Sequence, residues 1–539
     1  MRPFDGNGIF APAAGSVGEL RHLAVRGAGV SVFAQGVSLV VRMASTMVLA
    51  RLLTPADFGV VAMVTTFSLL FTIFGGFTEV VLQRDEVDHL LVSNLFWICV
   101  GLGVLLTIGF AAAGPLLSRF YDNPRVEPIA VALSFQIVID SAGVLHLALL
   151  RRAMRFPVVS ANEIVAGVVS VAVSISLAFA GWGCWALVAG LLAFPLSRSI
   201  GAWILCRWVP SLPRRAPGTG SMVRFAVSVY GHGWVDSFAH NMDNALVGWR
   251  FGAQPLGFYK KAYDLFALPA NQLVRPLMAV AVSALSRLKE DPTRYKRYFL
   301  KALGVTAFLG MGLGADLTLV GRDLIRLLLG PQWGESGRIF MFLGPGIGLM
   351  FLYATHGWIH LSIGSAARFF RWGLIELAVT GLLFVFALGW GPEGIAVAWT
   401  ASYGILTLPA FMYAGRPIDF GISPMIAAVW KYVLASVLAG CACVGITQSI
   451  VPYTAMPGAE GAFVRLLTVS LLFGVLYLGA VIVLYRGYEP LYQVARLLQE
   501  MVPMGRFSRL APAIAAVGGS GAEVILSMAR EDASESSER

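Results

Sequence analysis

Four polar side chains recur along one apolar stretch of the sequence, and their spacing suggests chemistry. They are His232, Asp236, His240 and Asp243, within an otherwise apolar run from 225 to 247. Successive spacings of four, four and three residues place them on one face of an α-helix. Histidine titrates near neutral pH, so this face could carry a proton, while Asp243 could help to hold a cation. The same pattern also fits a polar seam that lines a cavity without titrating.

A metal site is the other chemistry that such a face could support. His232, Asp236 and His240 have a metal-like spacing, but one helix face supplies no further strong ligand, and nothing nearby completes the set. The five cysteines show no Cys-x-x-Cys spacing, which favours small core residues over metal or disulfide sites. Glycine clusters lie in apolar runs, outside any nucleotide-binding context. We therefore expect no metal and no cofactor, while coupling to a proton or sodium gradient stays open on the sequence.

Four arginines stand within apolar runs, and three of them are candidate site residues: Arg42, Arg275 and Arg198; the fourth is Arg465. A charged side chain at the centre of a bilayer costs roughly 2.5–3.5 kcal/mol or more, so each is a candidate functional residue. The planar guanidinium can donate hydrogen bonds to two oxygens at once, which suits phosphate groups. The alternative is that an acidic neighbour such as Asp140 or Asp243 neutralises each arginine and fixes helix packing. Arg198 lies close enough to the end of its run to reach the membrane surface.

Composition assigns these side chains to a membrane protein. The chain has 539 residues, of which 57% are hydrophobic and 13% charged, whereas soluble domains carry about 25% charged residues. The net charge of +10 is spread as short Lys and Arg clusters between apolar runs. Such clusters are typical of topology signals and exclude a nucleic-acid-binding surface. We predict an all-α, polytopic membrane protein.

Fourteen transmembrane helices account for the apolar runs, at about 20 residues per crossing. An even number places both termini on one side of the membrane. That side holds 27 of the Lys and Arg residues, counting four at the adjoining ends of spans, and the opposite loops hold 9. Both termini are therefore predicted to be cytoplasmic. The predicted spans are 28–49, 58–81, 91–117, 126–149, 158–180, 184–206, 222–247, 262–285, 299–320, 339–362, 371–389, 394–413, 427–449 and 464–485.

An internal repeat organises these spans. The segments 49–59 and 247–257 both end a predicted helix, turn through a proline, and reach an apolar–glycine pair 198 residues apart. Six spans separate them, so the copies share one membrane orientation and form a parallel repeat of two six-helix lobes. The predicted organisation is a cytoplasmic N-terminal segment 1–27, a first lobe 28–206, a cytoplasmic linker 207–221, a second lobe 222–413, two further helices within 427–485, and a partly disordered cytoplasmic tail 486–539.

Several stretches resemble one known family. They are ARLLTPADFG at 50–59, DNALVGWRFGA at 243–253 with LGFY at 256–259, LSRL at 285–288, and LGPQW at 329–333. Their order and spacing resemble the polysaccharide-transporter branch of the MOP exporter superfamily, the Wzx-type flippases of lipid-linked oligosaccharides. The colanic-acid and exopolysaccharide exporters are the most similar group. The resemblance extends over roughly residues 25–450.

The resemblance implies both a fold and an activity. The expected fold is the MOP flippase fold, with two lobes around a central cavity that opens to each side in turn. The expected substrate is an undecaprenyl-pyrophosphate-linked oligosaccharide unit, moved from the inner to the outer face of the bacterial cytoplasmic membrane. In related lipid-linked precursor flippases, arginines on the first and eighth helices line the cavity, as Arg42 and Arg275 would here. Expected partners are this glycan, membrane lipids, and a polysaccharide polymerase or export complex.

Two other functions remain open on the sequence. An ion-coupled antiporter of small cationic molecules would have an acidic cavity, which Arg42 and Arg275 oppose. A membrane-embedded polymerase or glycosyltransferase would place catalytic residues on a large outside loop, and no predicted outside loop is that long. The aromatic turn 181–185 could stack on sugar rings or anchor the protein at the membrane interface.

Overall fold

A computed structural model of the chain describes residues 3–5, 8–10, 17–68, 75–83, 87–214, 241–449 and 458–492. Helix dominates these residues, as predicted. They form seventeen α-helices: α1 Val17–Leu52, α2 Pro55–Ser68, α3 Gly75–Gln83, α4 His89–Tyr121, α5 Val126–Arg152, α6 Phe156–Phe179, α7 Cys184–Cys206, α8 Met242–Phe251, α9 Ala253–Pro269, α10 Arg275–Arg287, α11 Pro292–Leu329, α12 Gly334–Ala354, α13 His356–Ser362, α14 Ala366–Ala387, α15 Gly391–Gly415, α16 Ile422–Ser449 and α17 Gly458–Tyr485.

Eleven stretches of the described residues are long and apolar enough to cross a membrane. One of them, Ala366–Ile418, contains two predicted spans joined by a short turn. The predicted span 58–81 falls on α2 and α3 with undescribed residues between them, and 222–247 falls mostly outside the described residues. The chain is a multi-pass membrane protein, and the number fourteen stays a prediction.

Two helices begin earlier than their predicted spans. The span predicted at 262–285 begins at Ala253, because two lysines that suggested a break are accommodated inside the helix. Lys260 forms an ion pair with Asp264 one turn later, and the ammonium of Lys261 lies 4.2 Å from the centre of the Phe58 ring. Similarly, α1 begins at Val17, within the segment predicted as 1–27. Both helices therefore extend beyond the predicted spans at these ends.

The same helix pairs pack in both halves of the chain. In the first half α4 packs on α5, α5 on α7 and α6 on α7. In the second half α11 packs on α12, α12 on α15 and α14 on α15. Each pair joins helices at the same position in its half, which supports the predicted parallel repeat of six spans.

The start of the predicted linker is held against the first half. The Asn94 side chain on α4 donates to the carbonyl of Arg214 at 2.6 Å and accepts from its N–H at 3.0 Å. One turn later the Trp97 indole donates to the carbonyl of Ser211 at 2.9 Å. Ser211 and Arg214 are thus held against α4 by hydrogen bonds. The chain forms one compact unit over Met1–Tyr477, and Leu478–Arg539 forms a second unit that begins with the end of α17.

Candidate functional site

Arg42 and Arg275 lie at different depths along their helices. Depth is the distance along each helix from its predicted outer end. This end is where α1 ends and α2 begins. At 1.5 Å per residue, Arg42 lies about 15 Å from the end of α1 at Leu52. Arg275 lies about 33 Å from the start of α9 at Ala253. The earlier start of α9 therefore places Arg275 farther from the predicted outer end than the predicted span implied.

The backbone before Arg275 is irregular. A single π-turn, Ala270–Val274, separates α9 from α10, and prolines precede and follow it at Pro269 and Pro276. A π-turn inserts an extra residue into the helix, and each proline removes one backbone donor. Such interruptions are frequent at functional sites in helices. Arg275 is the first residue after this interruption.

Both arginines are exposed rather than packed into protein. Among the described residues, neither Arg42 nor Arg275 forms an ion pair or a side-chain hydrogen bond with another residue. The alternative, in which an acidic neighbour neutralises each arginine, is therefore not seen for these two within the part of the chain that the structure describes. A guanidinium in this setting has its donors available for a ligand or for water.

Arg198 is neutralised by an acidic neighbour, which is the alternative that the sequence left open. Its guanidinium on α7 lies 2.6 Å from the carboxylate of Asp140 on α5, and both side chains are mostly buried. The carbonyl of Arg198 also accepts a hydrogen bond from Asn162 on α6 at 2.9 Å. Arg198 and Asp140 therefore join three helices of the first half, and the charge that could hold a phosphate is already compensated.

Asp243 is the one member of the polar face on α8 that lies within the described residues. It is completely buried, and its carboxylate accepts from the Tyr259 hydroxyl at 2.7 Å and the Trp399 indole at 3.0 Å. The N–H of Asn244 donates to its other oxygen at 2.7 Å. Three helices, α8, α9 and α15, meet at this carboxylate. These contacts favour the polar-seam interpretation for Asp243, while His232, Asp236 and His240 lie outside the described residues.

Another buried ion pair escaped the sequence analysis. Arg465 on α17 contacts both carboxylate oxygens of Asp323 on α11, at 2.6 and 3.1 Å, and both side chains are largely buried. The two residues are 142 positions apart, so no local spacing could reveal the pair. Each charge compensates the other, which explains how a predicted span tolerates Arg465.

The two halves meet at the outer end through a reciprocal glycine crossing. A Cβ added to Gly59 on α2 would lie 1.7 Å from the carbonyl oxygen of Ala253 on α9. A Cβ added to Gly257 would lie 1.9 Å from the carbonyl oxygen of Pro55. Gly59 and Gly257 are 198 residues apart, and so are Pro55 and Ala253. Each half therefore offers the same two positions to the other, as expected where a two-fold axis passes through a contact.

Hydrogen bonds reinforce the closure at this end. The Arg51 guanidinium donates to the carbonyl of Leu327 at 2.9 Å, and the Trp333 indole donates to the carbonyl of Ala50 at 2.8 Å. Gln332 donates to the carbonyls of Ala50 and Leu53. These bonds join the end of α1 to the turn between α11 and α12. The structure is therefore closed at its predicted outer end.

These features define a class of protein. A multi-pass helical protein built from repeated halves and closed at one end is typical of membrane transporters with two lobes. The sequence also matches the family described as polysaccharide biosynthesis protein over residues 48–338, which is more than half of the chain. The chain belongs to this family, as the resemblance predicted.

Curated relatives agree with this assignment. The chain is 22% identical over 418 residues to the succinoglycan biosynthesis transport protein ExoT of Rhizobium meliloti, covering 75% of this chain and 84% of ExoT. It is 24% identical over 381 residues to the teichuronic acid biosynthesis protein TuaB of Bacillus subtilis, covering 69% of this chain and 78% of TuaB.

A solved structure gives the fold. The lipid II flippase MurJ, in an inward closed conformation, superposes with a TM-score of 0.68 and 13% sequence identity. The superposition covers 85% of this chain and 98% of MurJ. The fold is therefore that of the MOP superfamily, as predicted.

Proposed function

We propose that this protein is a flippase that moves an undecaprenyl-pyrophosphate-linked oligosaccharide unit across the bacterial cytoplasmic membrane. The membership of the chain in the polysaccharide biosynthesis family supports this proposal. The names of relatives support it too, since one is a succinoglycan transport protein and the protein of similar fold is a lipid II flippase. Both termini would lie in the cytoplasm, and a polymerase or export complex would receive the product.

The observation that carries the proposal is the pair of exposed arginines at different depths. Moving a sugar head with a pyrophosphate through hydrocarbon strips water from charges and hydroxyls, at several kcal/mol for each polar group. Arg42 and Arg275 have no counter-charge among the described residues, so both can offer donors to phosphate oxygens. Their difference in depth of about 18 Å along the helices would let the anionic head pass from the inner arginine to the outer one.

The closed outer end leaves the inner side as the side from which the head group would enter. With α2 and α9 in contact at the glycine crossing, the head group would enter from the inner side and bind near Arg275. Separating the two halves at the crossing, while closing them at the inner side, would then expose the head group to the outside. The crossing consists of backbone-to-backbone contacts between two helices, and such contacts can part without unfolding either helix.

Two alternatives predict different chemistry. An antiporter for cationic molecules needs acidic groups in its cavity, but Asp140, Asp243 and Asp323 are each engaged in ion pairs or hydrogen bonds, and one oxygen of Asp316 accepts from the Ser470 hydroxyl. A membrane polymerase or transferase would join sugar units rather than move them. We therefore propose a transporter rather than an enzyme.

One experiment in cells separates these functions. Bacteria lacking the gene are examined for the amount and the membrane face of lipid-linked sugar units, with and without the gene restored. A flippase predicts that single units accumulate on the cytoplasmic face and that restoring the gene clears them. A polymerase predicts that single units accumulate on the outer face. Normal polymer and no accumulated units would reject the proposal in favour of an antiporter.

A further inference from the structure

The two halves carry the same aromatic turn at their predicted outer ends. Gly181-Trp182-Gly183 joins α6 to α7, and Gly389-Trp390-Gly391 joins α14 to α15. The third residue of each turn has positive φ, 54° at Gly183 and 78° at Gly391, a conformation that favours glycine. Trp182 and Trp390 are both exposed, at 58% and 75%. The chain therefore provides two copies of one turn that can be compared directly.

In the second copy of the turn, the nearby arginine is paired with carboxylates. Three residues after Trp390 stands Glu393, which lies 3.7 Å from the guanidinium of Arg338 at the start of α12. Arg338 also contacts Glu335 at 3.1 Å. The arginine of this turn region is therefore compensated by two carboxylates, and it has little charge left to offer a ligand.

The first copy of the turn differs from the second in the residue that follows it. Three residues after Trp182 stands Trp185, so an indole replaces the carboxylate of the second copy. Arg125 is the residue before α5, whereas Arg338 lies one turn inside α12, the corresponding helix of the second half. Arg125 is exposed and, within the ranges that the structure describes, forms no ion pair. Each copy thus has an arginine near this end of the helix and an exposed first tryptophan, but an indole stands where the second copy has Glu393.

A cavity of about 270 Å³ lies at this first copy. Its walls include Arg125, Trp182, Trp185 and Asp57, together with the apolar Ile129. The Asp57 carboxylate is fixed at the start of α2 by the N–H and hydroxyl of Thr54, at 3.0 and 2.7 Å. Three turns from different parts of the first half therefore meet around one small concave surface.

The lining matches the chemistry of a sugar unit. The faces of indole rings pack against the C–H faces of pyranoses, while carboxylate and guanidinium groups bond to hydroxyls. The guanidinium can also hold an acidic substituent with two parallel hydrogen bonds. Pockets for drug-sized ligands are usually 300–1,000 Å³, so a cavity of about 270 Å³ fits a single sugar ring rather than a longer chain.

We propose that this cavity is an outer-face binding site for one pyranose unit of the glycan, with an acidic substituent of that unit on Arg125. The proposal rests on the proposed function, because it assigns the sugar head a place to bind when it emerges outside. The site lies away from Arg42 and Arg275 and binds sugar rather than pyrophosphate. A lipid phosphate on Arg125, with the two tryptophans as interface anchors, is the competing occupant.

Binding is measured directly, without transport, on the full chain in lipid nanodiscs. Saturation-transfer difference NMR is recorded with methyl glucuronide as the acidic probe and methyl glucoside as the neutral probe. The proposal predicts saturation transfer to the ring protons of both probes and tighter binding of the glucuronide. Trp182→Ala weakens both at least about tenfold, since it removes a stacking face. Arg125→Gln weakens the glucuronide more than the glucoside.

The second copy of the turn supplies the matched variants. Trp390→Ala removes the equivalent exposed indole and should leave probe binding unchanged. Trp185→Glu installs the acid that the second copy carries, so it should pair with Arg125 and abolish glucuronide binding. If Trp182→Ala fails to fold, Trp182→Phe keeps a ring face and should retain binding of both probes.

The outcomes that overturn the proposal are distinct from a failure of the proposed function. Absence of saturation transfer to wild-type protein, or equal losses in Trp182→Ala and Trp390→Ala, would reject the sugar site. Displacement of the glucuronide by inorganic phosphate but not by the glucoside would assign the cavity to a lipid phosphate. A protein that binds both probes as predicted but does not move lipid-linked glycans would retain the site and reject the flippase.

Discussion

Arg42 and Arg275 differ from the other arginines of the apolar segments in what surrounds them. Arg198 and Arg465 are compensated at 2.6 Å by Asp140 and Asp323. Arg42 and Arg275 are exposed and lack such partners among the described residues. A charge without a partner is costly in hydrocarbon, so a water-filled cavity is the setting in which both can be retained. We therefore propose that Arg42 and Arg275 are the arginines that meet an anionic substrate.

Replacing Arg275 should reduce export without affecting folding. Arg275→Ala removes the donors that would hold the pyrophosphate, so polymer export should fall at least about tenfold at normal protein level. Arg275→Lys keeps the charge but loses the bidentate geometry, and it should retain part of the activity. Export is measured as polymer per cell, and protein level by immunoblot.

The matched control is Arg287→Ala. Arg287 is an exposed arginine on the same helix, α10, at its inner end. Its removal should leave export near wild type. If Arg275→Ala exports as much polymer as Arg287→Ala, Arg275 has no role in substrate binding.

The Asp243 carboxylate should contribute to stability rather than to ion coupling. Asp243→Ala leaves the buried donors of Tyr259 and Trp399 without their acceptor, at about 1–3 kcal/mol each. We expect a lower thermal unfolding midpoint for the purified protein, and a smaller decrease for Tyr259→Phe, which removes one donor. An unchanged midpoint with complete loss of transport would instead indicate a coupling role.

At the scale of elements, the glycine crossing of α2 and α9 controls the closure of the outer end. The contact is made by backbone carbonyls, which cannot move aside as a flexible side chain can. An added methyl group at either glycine must therefore separate the helices. A side chain at position 59 or 257 would not fit between the two backbones.

Gly59→Ala should open the outer end. In a chain without its native cysteines, Leu53→Cys places a thiol at a position that is 4% exposed and next to the hydrogen bonds of Gln332. Overpacking by one methyl group typically costs about 1–3 kcal/mol, so Gly59→Ala should speed the reaction of this thiol with an impermeant maleimide about tenfold. The reaction rate is followed in intact cells.

Gly36→Ala is the control for this measurement. A Cβ at Gly36 on α1 would meet no described atom within 4 Å, so the maleimide rate should not change. Equal rates in the Gly59 and Gly36 variants would show that the crossing does not close the outer end.

The sequence predicted the elements well where local patterns decide them, and poorly where distant contacts do. The span predicted at 184–206 coincides with α7, because turns and apolar length define both of its ends. The helix α9 begins before the span predicted at 262–285, because Lys260 pairs with Asp264 and Lys261 lies over the Phe58 ring. Phe58 is 203 residues away from Lys261 in the sequence, so no local pattern could reveal this contact. The partners of Asp243 and Arg465 were missed for the same reason.

At the scale of the whole molecule, the parallel repeat is the most informative feature. The sequence offset of 198 residues between Gly59 and Gly257 reappears as a reciprocal contact between the halves. The repeat also shows where the halves differ, since Trp185 and Glu393 occupy matching places after the same turn. Such departures from the repeat are where one lobe acquires a role that the other lacks.

The predicted topology can be tested around the residues that the structure does not describe. Alkaline phosphatase, active outside the cytoplasm, is fused after Ser211 and, in a second chain, after Gly252. With one span at 222–247, the first fusion should be inactive and the second active. Equal activities would contradict the fourteen-span arrangement and the orientation of the termini.

The most direct test of the central claim uses purified protein in vesicles. A fluorescent undecaprenyl-pyrophosphate-linked disaccharide is placed in both leaflets, and an impermeant reductant quenches the label in the outer leaflet. The account predicts that wild-type protein and Arg287→Ala bring the inner-leaflet pool to the outer leaflet, whereas a chain with Arg42→Ala and Arg275→Ala does not. An inner pool that stays protected with wild-type protein, or is quenched equally with the double variant, would contradict the account.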